Sequence, residues 1–178
     1  MRRAVFLDRD GVLIHSDVRD GKPIGARSEA EFRILPGVPE ACQRLRDTGF
    51  LLIVVTNQPD IARGLVSAET VERLNDLLPQ SVPLDDIRIC PHDDADECPC
   101  RKPKPGLLLD AAADWDIDVP ASFMVGDRWR DVEAGRRAGC RVAFIDRGYD
   151  ETGDVNADVV VHEFPDAADW ILSCARSS

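Results

Sequence analysis

The stretch "AVFLDRDGV", residues 4–12, runs four apolar residues straight into two aspartates and a glycine. Apolar positions without alternation suit a strand buried on both faces, as in a parallel sheet covered by helices on each side. Asp8 and Asp10 then stand just past the strand, and Gly11 permits a sharp backbone turn there. In open α/β sheets, ligands bind outside the carboxyl ends of the strands. The polar residues after each strand are therefore the ones to inspect.

Working outward, "LLIVV" (51–55), "IRI" (87–89), "FMV" (123–125), "VAFI" (142–145) and "VVV" (159–161) read as further strands. Between them the apolar spacing predicts helices over Val38–Asp47, closed by Gly49, and over Ala68–Leu78, capped by Ser67. Further helices are expected at Leu107–Trp115, at Asp131–Ala138, ended by Gly139, and at Ala167–Cys174. Strand–helix alternation of this kind predicts an open α/β sheet. Residues 15–36 are the longest segment without clear periodicity, a length often associated with function. The acidic stretch at 150–158 reads as a solvated connection.

A chain of 178 residues suits one domain, 1–178, with a core that needs no covalent staples. Its net charge of −11 argues against a general nucleic-acid or anionic-membrane surface. The apolar run at 4–7 is too short for a secretory signal, and no run approaches a membrane span. A cytoplasmic monomer is the expectation. Cys42, Cys140 and Cys174 are scattered and read as small buried thiols.

Chemically useful residues follow three strands: "LDRDG", "TNQ" and "GDRWRD". Two carboxylates spaced like Asp8 and Asp10 can divide the work of nucleophile and acid–base, and such an oxygen site suits Mg²⁺. Thr56 and Asn57 offer a hydroxyl and an amide to a phosphoryl oxygen. Asp127 is a candidate third acidic ligand. Asp131 either orients the cation or its waters, or is an acidic residue favoured at a helix N-terminus. In "RKPKPG" (101–106), Lys102 or Lys104 offers fixed positive charge, held by the flanking prolines.

Together these motifs, in this order, resemble those of the haloacid dehalogenase-like phosphatases, and the resemblance runs from residue 8 to 131. It implies a Rossmann-like three-layer αβα sandwich around a central, mainly parallel sheet. It makes Asp8 the nucleophile that forms an aspartyl-phosphate, and Asp10 the group that protonates the leaving oxygen and then activates water. Thr56 and Lys102 would bind the phosphoryl group, with Lys104 as runner-up. Mg²⁺ would be held by Asp8, the Asp10 carbonyl and Asp127. Members of this family usually carry a cap, but neither inter-motif segment has room for one, so no cap domain is expected.

Between the second and third motifs lies "CPHDDADECPC" (90–100), in which Cys90, His92, Cys98 and Cys100 make up the ligand set of a closed, structural zinc site. A disulfide or unligated thiols are the alternatives. This zinc-binding loop narrows the resemblance to D-glycero-D-manno-heptose 1,7-bisphosphate 7-phosphatases and histidinol-phosphate phosphatases. "TNQPDIARG" leans to the former, whereas the shortness of the cysteine loop looks more like the latter. In the heptose enzymes the residue matching Arg101 helps recognise substrate, with Arg128 nearby. The expected activity is Mg²⁺-dependent hydrolysis of a sugar bisphosphate, the heptose first. The alternatives are histidinol phosphate and an inactive phosphate-binding protein.

Overall fold

The computed structural model describes residues 1–151 and 153–176. Among the described residues, eight strands form in chain order: β1 (Ala4–Leu7), β2 (Asp17–Arg19), β3 (Lys22–Ile24), β4 (Leu51–Asn57), β5 (Asp86–Cys90), β6 (Phe123–Gly126), β7 (Arg141–Ile145) and β8 (Val159–Val161). Five α-helices accompany them: α1 (Val38–Asp47), α2 (Ala68–Leu77), α3 (Gly106–Trp115), α4 (Trp129–Ala138) and α5 (Phe164–Arg176). All six expected strands join one sheet in the order β5-β4-β1-β6-β7-β8, and every pairing in it is parallel.

Alternation along β1 explains the layers. Val5 and Leu7 face a core shared with Val38, Ala41 and Leu45 of α1, Leu74 of α2, and Ala167 and Ile171 of α5. Ala4 and Phe6 face the opposite core, built with Leu108 and Ala111 of α3 and Val132 and Ala134 of α4. Helices on both faces thus bury both sides of the sheet, and the expected three-layer sandwich is the one observed. The strand ends therefore gather at one edge.

Local signals fix several helix ends. The Ser67 hydroxyl accepts from the Thr70 amide at 3.2 Å, capping α2 as the sequence predicts. α4 begins at Trp129 rather than Asp131, and α5 starts at Phe164, with Pro165 tolerated in its first turn. No helix among the described residues is long and apolar enough to cross a membrane.

Residues 15–36 are not featureless. β2 and β3 form an antiparallel hairpin, pairing Arg19 with Lys22 across the two-residue loop Asp20–Gly21. Both loop residues have positive φ, 51° and 73°, as a primed turn requires. No cap domain interrupts the described chain between β1 and α1.

Candidate active site

Asp8 follows β1 and is buried, as is Lys102. The Lys102 Nζ lies 2.8 Å from Asp8 Oδ1 and 2.6 Å from Asp131 Oδ1, and donates to the Val55 carbonyl at 2.7 Å. Asn57, at the end of β4, holds that lysine's backbone. Its Nδ2 donates to the Lys102 carbonyl at 3.0 Å, and its Oδ1 accepts from the Lys102 amide at 3.1 Å. The amide expected to face a phosphoryl oxygen is thus engaged at both ends by the lysine's main chain. Lys104 points elsewhere, donating to the carbonyls of Glu97 and Cys98.

Asp127 follows β6 and is buried; its Oδ2 accepts from the Tyr149 hydroxyl at 2.8 Å, and its Oδ1 has no partner. Oxygens of Asp8, Asp127 and Asp131 all lie within 4.8 Å of one another. Three carboxylates facing one lysine, with one oxygen left orphaned, fit a hard cation such as Mg²⁺. The Asp10 carboxylate stands outside this cluster. Asp131 takes the helix-end role considered for it and also contacts Lys102, which the sequence did not suggest. Its Oδ2 accepts from the Arg128 amide at the start of α4 at 3.0 Å while its other oxygen meets Lys102.

The Asp10 carboxylate is held by Arg9, by the Ala26 amide at 3.2 Å and by Gln58 Nε2 at 2.8 Å. Gln58 also donates to the Thr56 hydroxyl at 2.9 Å. Arg9, wholly buried, spans from Asp10 to Asn75, 2.8 Å from its Nη1. Arg9 and Gln58 lie inside the quoted motifs, yet spacing alone assigned them nothing.

Burial raises the Asp8 carboxyl from 3.8 to about 6, against the pull of Lys102 and with the charges of Asp131 and Asp10 adding to the rise. Burial also raises Asp127 well above its ordinary value, with Asp8 and Asp131 adding repulsion. Asp8 therefore binds its proton more tightly folded than unfolded, and the magnesium-free protein should lose stability as pH rises from about 4 through 6. The loss is on the order of 2–3 kcal/mol. Thermal melts should show Mg²⁺ stabilising the protein more at pH 7.5 than at pH 5.5; an equal shift at both would contradict this.

Cys90 ends β5, beside Asn57 in register. The sulfurs of Cys90, Cys98 and Cys100 lie 3.3–3.6 Å apart, and the His92 Nδ1 lies 3.6 Å from Cys90 and 3.4 Å from Cys100. These separations are close to the edges of a tetrahedron with Zn–S near ~2.3 Å, and too long for a disulfide near ~2.05 Å. Burial works to raise the Cys98 thiol, but hydrogen bonds from its neighbours prevail and bring it to about 7. The zinc alternative is the one the donor set fits. Arg101, next in the chain, folds back onto this loop, donating to Asp94 Oδ1 at 2.9 Å and to the His92 carbonyl at 3.2 Å.

The resulting cleft, about 890 Å³, reaches from Asp8, Asp10 and Lys102 to the hairpin. Asp150 and Glu151 line it too, so the acidic stretch is more than a solvated connection; Thr152 within it lies outside the described residues. The Asp150 amide donates to the Gly21 carbonyl at 3.0 Å, and Arg128 pairs with Glu151. Arg27, Arg63, Arg101, Arg128 and Arg130 all have carboxylate partners. Arg19 and Lys22 line the cleft without one among the described residues.

Known proteins resemble this chain in sequence and in fold. A family model described as "HAD-hyrolase-like" matches residues 99–170. A D-glycero-beta-D-manno-heptose-1,7-bisphosphate 7-phosphatase of Yersinia pestis is 37% identical over 96% of this chain and 89% of its own. The protein of the same name from Escherichia coli (strain K12) is 36% identical over 96% and 88%. The structure of D,D-heptose 1,7-bisphosphate phosphatase from B. bronchiseptica, complexed with magnesium and phosphate, superposes with a TM-score of 0.82. It is 31% identical, over 96% of this chain and 98% of that one. With its motif residues gathered at one sheet edge and relatives of this similarity along its length, the chain belongs to the haloacid dehalogenase-like hydrolases, in the branch that includes these phosphatases.

Proposed function

We propose that the chain is a Mg²⁺-dependent phosphatase that removes the 7-phosphate of D-glycero-D-manno-heptose 1,7-bisphosphate. The observation that carries the chemistry is the unequal treatment of two neighbouring carboxylates. Asp8 meets Lys102 inside a cluster with the carboxylates of Asp127 and Asp131, whereas Asp10 is held outside it by Arg9, the Ala26 amide and Gln58. Asp8 attacks phosphorus as the ester P–O bond breaks, and Asp10 gives the leaving oxygen its proton. Asp10 then takes a proton from water, whose oxygen displaces Asp8 and releases phosphate. Lys102 and Thr56 hold the phosphoryl oxygens, and Asn57 keeps Lys102 in place. Asp8, the Asp10 carbonyl and Asp127 would hold Mg²⁺, which would supply positive charge to the transferring group. The zinc loop is structural, and Arg101 and Arg128 line the cleft beside the substrate.

The choice of a bisphosphate rests on the names of the relatives and on charge left over in the cleft. The two hairpin cations without acidic partners, Arg19 and Lys22, can meet a second phosphate away from the reacting one. The test compares kcat/KM on heptose 1,7-bisphosphate, fructose 1,6-bisphosphate and histidinol phosphate. The heptose should lead by at least about tenfold, on the order of one well-made contact. A preference for histidinol phosphate would overturn the assignment.

A further inference from the structure

We propose that the segment Arg147–Tyr149, after β7, is a positioning element for the divalent cation, bracing both halves of its carboxylate cluster. The inference rests on the metal reading of Asp8, Asp10 and Asp127. Tyr149 ties down one oxygen of Asp127, at 2.8 Å, while the other stays buried and unpartnered. That contact fixes the carboxylate's rotation and leaves a single lone oxygen to point at a ligand. Arg147 acts on the other half: its Nε donates to the Gly11 carbonyl at 2.9 Å, immediately after the peptide that carries the Asp10 carbonyl.

The two braces meet at Gly11. A Cβ there would lie 1.8 Å from Asp127 Oδ2 and 3.0 Å from the Tyr149 hydroxyl, so the nucleophile turn packs directly on this hydrogen bond. The Tyr149 hydroxyl donates to Asp127, and its neighbours Asp150 and Glu151 line the cleft. Beyond it, Asp150 holds the hairpin tip and Glu151 pairs with Arg128, which anchors the segment at its far end.

Groups that orient metal ligands in this way typically change metal affinity by about 10- to 100-fold when removed. Calorimetric Mg²⁺ titration of the zinc-loaded protein tests the assignment, alongside kcat measured at saturating Mg²⁺. Tyr149→Phe should raise the Mg²⁺ dissociation constant by about 10- to 100-fold, with kcat at saturation within about threefold of the parent. Arg147→Gln should weaken Mg²⁺ in the same sense, by about tenfold. Zinc content and the melting temperature without Mg²⁺ should stay near the parent's, which a general structural defect would not allow. Dissociation constants within twofold of the parent in both variants would overturn the inference. A parent protein that binds no Mg²⁺ at all would remove the metal reading itself.

Discussion

Asp8→Asn is expected to cut phosphate release by about 10⁴-fold or more while leaving the protein folded. The amide oxygen can still accept from Lys102, so the contact at 2.8 Å survives in form. What disappears is the attacking oxygen anion. The substitution also removes one of three clustered buried negative charges, so the magnesium-free variant should melt no lower than the parent, and its pH dependence between 4 and 6 should flatten. Phosphate release and thermal melts together decide the matter. Activity above about one per cent of the parent would take the nucleophile role from Asp8.

Loss of zinc should have the largest effect on stability. Cys98→Ser, or removal of the ion by chelation, is expected to abolish the binding of about one zinc per chain and lower the melting temperature by more than about 10 °C. Turnover should fall with it, because Cys100, Arg101 and Lys102 are consecutive and Arg101 is bonded to the His92 carbonyl. A loop released at its sulfurs no longer fixes the lysine between Asp8 and Asp131. Metal analysis and melting curves test this directly. A zinc-free protein with unchanged melting temperature would show that the four donors hold nothing of structural consequence.

The sequence made the sheet legible because each strand is a short apolar run and each motif sits at its end. Asp8, Thr56, Asn57 and Asp127 follow or end strands, so one topological rule gathers them. The hairpin escaped because strands of three residues, largely exposed, carry no periodicity; the Asp20–Gly21 pair was the available signal. Tyr149 and Arg147 escaped for a different reason. Their partners, Asp127 and Gly11, lie far off in the chain, and a tyrosine in a polar loop announces no such contact. Asp131 could be read two ways because its helix-end chemistry is local, whereas its bond to Lys102 forms only when α4 meets the zinc-loop segment.

That shared carboxylate constrains how the protein can change. One oxygen of Asp131 finishes the first turn of α4, and the other holds the buried lysine. A substitution there cannot be favoured for robustness without also altering reactivity, or the reverse. Selection acting on either property is therefore bound to the other at this position.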